Sequence, residues 1–330
     1  MDFWLEQILT NSRSQLFAVE RAKAFGITPE KVEYELIFRS IYPVCSQFNQ
    51  QTLKLPADRF ATNLWTLWLP LAMLIVQWRR SQTKPLIQGL LAGQGTGKST
   101  LASILILILG GMGYCTYSLS LDDLYKTYKN RLLLKQQDPR LIWRGPPGTH
   151  DVDLGINILD ALHQPNSDAI IELPRFDKSA HNGAGDRGIS DTISGADIIL
   201  FEGWFVGVRP IEPGAFDDAP PPIISESDRQ FARDMNAKLR DYLPLWERLD
   251  RLILLYPLDY RWSLQWRQQA EHQAKALGKL GMSDLEIKQF VNYFWQSLHP
   301  ELFIKPLATA SSWVDLVIEI KSDRSWGKIY

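Results

Sequence analysis

Leu90-Leu91-Ala92-Gly93-Gln94-Gly95-Thr96-Gly97-Lys98-Ser99-Thr100 is the stretch on which the rest of the chain is read. The apolar run at 86–92 has the composition of a buried strand, and a long apolar helix is expected to start near Ser99. Glycines between a strand and a helix let backbone N–H groups turn inward around phosphate oxygens. The helix N-terminus adds its positive end. In that setting Gly93, Gln94, Gly95, Thr96, Gly97, Lys98, Ser99 and Thr100 read as a phosphate-binding loop. Lys98 would reach the β- and γ-phosphates of a nucleotide, and Ser99 would place its hydroxyl on Mg²⁺. The strict pattern G-x-x-x-x-G-K-[ST] has Gly where this chain has Ala92.

Composition narrows the classes that surround this loop. A hydrophobic share of 45% with 22% charged residues is that of a globular chain with a full core. The formal net charge of −1 provides no global field for nucleic acid or an anionic membrane, so neither is expected as a partner. Cys45 and Cys115 stand far apart, without metal spacing or a disulfide framework, which suits a reducing cytosol and a cytoplasmic location. The N-terminal residues MDFWLEQILTNSRSQ carry early acids and lack a basic n-region, so no secretory signal is expected. The apolar run at 101–109 is too short to span a bilayer.

Organisation follows from periodicity. Residues 1–80 read as a helical extension, with Leu5, Ile8 and Leu9, then Leu64, Leu67, Trp68 and Leu71, at helical spacing. Trp4, Trp65, Trp68 and Trp78 are assigned to packing, with a partner surface as the sharper alternative. From residue 81 onward, apolar runs at 86–92, 115–121, 169–173, 196–201, 252–256 and 314–320 alternate with helical stretches. That alternation predicts a parallel sheet covered on both faces, with ligands at the carboxyl ends of its strands. Residues 209–224 hold five prolines and the acids Asp217 and Asp218, and read as a mobile surface loop.

Chemistry is sought at those strand ends. In SLDDLY, phosphoryl transfer to an alcohol needs a carboxylate that orients and deprotonates the hydroxyl. Asp122 is the preferred base, with Asp123 as a helix cap. ILFEGW ends a strand in Glu202, the position from which a carboxylate holds Mg²⁺. RGPPGTHD is stiffened by Pro146 and Pro147 and can present Thr149, His150 and Asp151 to a small polar substrate, or form a plain turn capped by Asp151. LPRFDKSAHNGAGDR gathers Arg175, Lys178, His181 and Arg187, a cluster suited to a carboxylate or phosphate; a solvated loop with internal ion pairs is the bland alternative. Arg261 and Arg267 lie on an expected lid helix near 260–285.

Taken together, GQGTGKST, SLDDLY, RGPPGTHD, LPRFDKSAHNGAGDR, ILFEGW and WRQQAEHQAKALGKLGMSD resemble the D-glycerate kinases of the plant and fungal type, relatives of uridine kinase, phosphoribulokinase and bacterial pantothenate kinase. The pieces stand in family order over residues 85–285; Phe176 stands where Tyr is expected in the wider family. The resemblance implies an α/β P-loop kinase fold with a five-stranded parallel sheet and helical additions; the N-terminal helical extension, read from periodicity, adds little to the match. It implies ATP with Mg²⁺ as donor and D-glycerate as acceptor, giving 3-phosphoglycerate. Under it Asp122 is the base, Lys98 and Arg267 stabilise the phosphoryl group, and Ser99 and Glu202 hold the metal. Thr149, His150, Lys178, His181 and Arg187 face the acceptor. A kinase for another small alcohol, such as a nucleoside or pantothenate, and a nucleotide-dependent switch without catalysis remain as alternatives. The oligomeric state is left open.

Overall fold

The computed structural model describes residues 20–27, 31–164, 169–276, 278, 281–310 and 312–330, with Gln7 and Thr10. Trp4, Leu5, Ile8 and Leu9, expected on the first helix, lie outside the described residues. Among the described residues, the first helices with bounds are α1 (Lys31–Phe48), α2 (Ala57–Asn63) and α3 (Leu69–Arg80). Then come β1 (Leu86–Ala92), α4 (Lys98–Gly111), β2 (Thr116–Ser120), α5 (Tyr128–Gln137) and α6 (Val152–Leu162). Four short strands follow, β3 (Ile171–Leu173), β4 (Phe176–Asp177), β5 (Asp186–Arg187) and β6 (Asp191–Ile193). The remainder is β7 (Ile198–Gly203), α7 (Glu226–Lys238), α8 (Leu243–Trp246), β8 (Arg251–Pro257), α9 (Trp262–Ala276), α10 (Asp284–Ser297), α11 (Pro300–Phe303), α12 (Lys305–Ala310), β9 (Leu316–Ile320) and β10 (Trp326–Ile329).

The main sheet is six-stranded in the order β10-β9-β8-β1-β7-β2. β9, β8, β1, β7 and β2 run parallel, as expected, and β10 pairs antiparallel at the edge. β1 is central and buried along its whole length, which is why, Gln88 apart, its sequence is apolar without alternation. The run at 169–173 departs from expectation. It enters no parallel sheet: β3 pairs antiparallel with β6, and Ile170 beside it is 71% exposed.

Helix α4 explains the N-terminal extension. Its sequence KSTLASILILILGG is apolar around nearly the whole circumference, so one sheet face cannot cover it. α1 and α3 cover the remainder; the side chains of Phe38, Ile41, Leu71 and Ile75 join those of Ile104, Leu105, Ile108 and β1 in one continuous core. Ile41 packs so close to Gly111 that a Cβ there would lie 2.7 Å from its Cγ2. Residues 31–80 therefore share their core with the sheet. Trp65 and Trp68 are buried within it, Trp65 edge-on to Tyr34 and Phe38. The helical run Ala57–Arg80 is long and apolar enough to cross a bilayer, but 78% of its most apolar window is already covered by protein.

The proline-rich loop at 209–224 is anchored rather than loose. The Asn236 amide donates to the Ile211 carbonyl and accepts the Ile211 N–H, both at 2.8 Å, and Phe216 and Ile223 are buried.

Candidate active site

The carboxyl ends of β1, β2 and β7 converge on the phosphate loop. Register places Ser120 on β2 opposite Glu202 on β7, and Glu202 opposite Leu90 on β1. The loop from Gly93 to Gly97 then turns into α4. Gly97 caps that helix at φ +94° and Gly95 sits at φ +78°, both in the left-handed region open to glycine. A Cβ on Gly95 would also lie 2.6 Å from Cβ of Trp266. Thr96 Oγ1 donates to the Gly93 carbonyl at 2.8 Å and braces the turn. From the far edge, Arg324 after β9 donates Nε–H to the Gly95 carbonyl at 2.9 Å and lies over the Trp266 ring.

Ser99 Oγ donates to Glu202 Oε1 at 2.8 Å, and Lys98 Nζ is 3.9 Å from Glu202 Oε2. Glu202 is 5% exposed, yet its Oε2 has no hydrogen-bond partner. Gln94 Oε1 and Arg267 Nε are likewise buried and unpartnered. Buried polar atoms are normally satisfied, so these orphans mark where a polar ligand or cation completes the site. Among the described residues no cluster of three or more His, Cys, Asp and Glu could hold a metal alone. A hydroxyl and one carboxylate, completed by phosphate and water, is the donor set Mg²⁺ takes in nucleotide sites.

The acid pair after β2 is divided by its surroundings. It lies on a single turn, Leu121–Leu124, capped by Ser120. Asp123 is committed to the scaffold: its carboxylate accepts the N–H groups of Ser120 and Phe176 and pairs with Arg175 at 3.0 Å. Burial outweighs these contacts and raises its pKa. Asp122 points the other way, and its Oδ2 meets Lys178 Nζ at 2.7 Å. Burial opposes its ionisation, but the Lys178 and Lys98 ammonium groups overcome this and hold it down at about 2.

The basic stretch folds into β4 and β5, joined by a tight turn. His181 and Asn182 both adopt left-handed φ, at 50° and 56°. His181 Nε2 is 3.0 Å from Asp186 Oδ2 and its ring stacks on Tyr128. Arg187 pairs with Asp151, whose other oxygen caps α6. Arg267 pairs with Glu271 at 2.6 Å. Arg261 pairs with Asp259 and is 72% exposed. The lid helix ends at Ala276, short of the expected 285, and α10 begins at Asp284. Two guanidiniums not singled out in the sequence hold the turn: Arg131 donates to the carbonyls of Lys126, Ala184 and Gly185, and Arg144 to those of Gly183 and Ala184. Nothing in the local sequence pairs them with that turn, which lies 39 or more residues away.

Thr149 and His150 stand behind this surface. Thr149 Oγ1 donates to the Pro146 carbonyl and accepts the Gly145 N–H, so its hydroxyl belongs to the turn. His150 is 1% exposed, stacked on Tyr125, with Nδ1 2.8 Å from the Tyr242 hydroxyl. Burial holds its imidazole down at about 3. The unfolded chain takes up a proton below the ordinary 6.5 while the folded one stays neutral to about 3. Stability is therefore full above pH 6.5 and falls as pH drops toward 3, by about 1.4 kcal/mol per unit from this group. Denaturant melts at pH 7 and 5 should show the wild type losing more than His150→Gln; equal losses would show that His150 titrates normally.

Curated relatives match this chain over most of their length, although no family model matches. The chain is 34% identical over 223 residues to the uncharacterized kinase mug58 of Schizosaccharomyces pombe, covering 65% of this chain and 80% of that one. It is 28% identical over 323 residues to the chloroplastic D-glycerate 3-kinase of Arabidopsis thaliana, covering 91% and 69%. The solved structure of D-glycerate 3-kinase from Cryptococcus neoformans superposes with a TM-score of 0.71 at 28% identity, covering 80% of this chain and 98% of that one. The strand order, the loop at Gly93–Thr100 and these relatives agree, and the chain belongs to the P-loop small-molecule kinase family that includes D-glycerate 3-kinase.

Proposed function

We propose that the chain transfers the γ-phosphoryl group of ATP to a hydroxyl of D-glycerate, giving 3-phosphoglycerate. The observation that carries this reading is Asp122, a carboxylate set between the ammonium groups of Lys98 and Lys178. On one side lies the nucleotide loop and on the other a basic loop suited to a small anion. The printed names of the Arabidopsis and Cryptococcus proteins favour glycerate as that anion.

Asp122 orients the acceptor hydroxyl and takes its proton as the oxygen–phosphorus bond forms. Lys98 meets the charge on the transferring group, joined by Arg267 from α9. Ser99 Oγ and Glu202 would hold Mg²⁺, which when bound neutralises charge on the β- and γ-phosphates. Lys178, His181 and Arg187 face the acceptor carboxylate.

The direct test is ADP release with D-glycerate, L-glycerate, pantothenate, uridine and ribulose 5-phosphate as acceptors. Turnover confined to pantothenate or uridine would replace glycerate, and ATP binding without turnover on any acceptor would point to a switch. Arg187→Ala should raise the KM for the acceptor several-fold more than that for ATP. Equal rises would move Arg187 to the nucleotide or to the scaffold, where it steadies the Asp151 cap.

A further inference from the structure

Each cation of the basic loop is paired, and the partners differ in kind. Arg175 is held by Asp123 and Asp191, Arg187 by Asp151, and His181 by Asp186. Asp123, Asp151 and Asp186 also cap turns or receive backbone N–H groups, so these acids are anchored in the scaffold. Lys178 alone in this loop pairs with the acid assigned to chemistry. Its ammonium lies 2.7 Å from Asp122 Oδ2, while its side chain is 62% exposed and that of Asp122 31%. Its neighbour Asp177 fixes the backbone by accepting Ser179 N–H and Oγ–H, so the stem swings from a fixed root.

We infer that Lys178 is a latch on the base: it covers Asp122 until an anionic acceptor draws its ammonium away. This rests on the proposed kinase reading. A lysine is a compact charge on a flexible stem, and a half-exposed pair is weak enough to exchange partners. A carboxylate on the acceptor competes for the ammonium on arrival and frees Oδ2 for the hydroxyl of the same molecule. Water and neutral alcohols bring no such competitor and meet a covered base. The side reaction held back is hydrolysis: a water oxygen bonds to the γ-phosphorus, its proton passes to Asp122, the bridging oxygen departs with ADP, and ATP is spent without product.

The test compares wild type, Lys178→Met and Lys178→Arg by ADP release from Mg-ATP with no acceptor, with glycerol and with D-glycerate. In Lys178→Met, acceptor-free and glycerol-dependent ADP release should rise about fivefold, the population held by an exposed ion pair of ordinary strength. The KM for D-glycerate should rise, and more ADP should form per phosphoglycerate. Lys178→Arg should keep the low acceptor-free rate. An acceptor-free rate in Lys178→Met at or below wild type, with the KM for ATP unchanged, would overturn the latch. So would a wild type that turns over glycerol as fast as any anionic acceptor. Wild-type turnover with a different anionic acceptor would overturn glycerate and leave the latch standing.

Discussion

Asp122→Asn is expected to lower kcat by a factor of about 10² to 10⁴ while ATP affinity changes little. Asn keeps the shape and still orients a hydroxyl, but it takes no proton and no longer attracts Lys178. Asp123→Asn should behave in the opposite way. Its carboxylate holds two backbone N–H groups and Arg175, so the substitution removes an ion pair and one acceptor from the turn. Stability should fall by about 1–3 kcal/mol with kcat within a few-fold of wild type. Purified variants, assayed for ATP binding, turnover and urea midpoint, separate the two. A dead Asp123→Asn with normal stability beside an active Asp122→Asn would reverse the roles.

Lys98→Ala should reduce kcat about a hundredfold or more, because it removes a cation that meets charge developing in the transition state. The site also loses the ammonium 3.9 Å from the buried Glu202 carboxylate. Glu202 would then carry its charge with Ser99 alone as neighbour, so metal binding should change less than turnover. ADP release at saturating ATP and acceptor checks the rate, and calorimetric titration of ATP checks binding. Near-normal turnover would remove the kinase assignment from this loop.

What could be read from the sequence was local and periodic. The strand, glycines and helix of the phosphate loop are contiguous, and β1, β7 and β8 are mostly apolar without alternation because both faces are covered. The run at 169–173 misled because a short apolar run looks the same at a sheet edge as in a buried strand; only its partner, β6, distinguishes them. β10 escaped notice because Trp326–Ile329 is too short and mixed to show a period. At the site, Asp122 and Glu202 were legible as acids at strand ends. Thr149 was not, because its hydroxyl closes a turn onto Pro146 three residues earlier, as turn-forming Thr side chains do. Arg131, Arg144 and Arg324 were invisible for a different reason: their partners are remote backbone carbonyls, which leave no trace in the residues beside them.

The Arg324 brace bears on how the molecule is made. It acts on Gly95 across 229 residues of chain. At ribosomal speeds of about 5–20 residues per second, that separation is roughly 10–45 s of synthesis. During that interval the glycine loop has left the ribosome, but β7, β8, Trp266 and Arg324 are still to come. A nascent chain thus carries the nucleotide motif long before it carries the walls that shape it. ATP stabilises only states in which its site has formed, so it gives the emerging sheet little support. Nucleotide binding is therefore expected late, and a translation arrest before residue 324 should yield a chain with a nearly complete sheet and a slack, weakly binding loop.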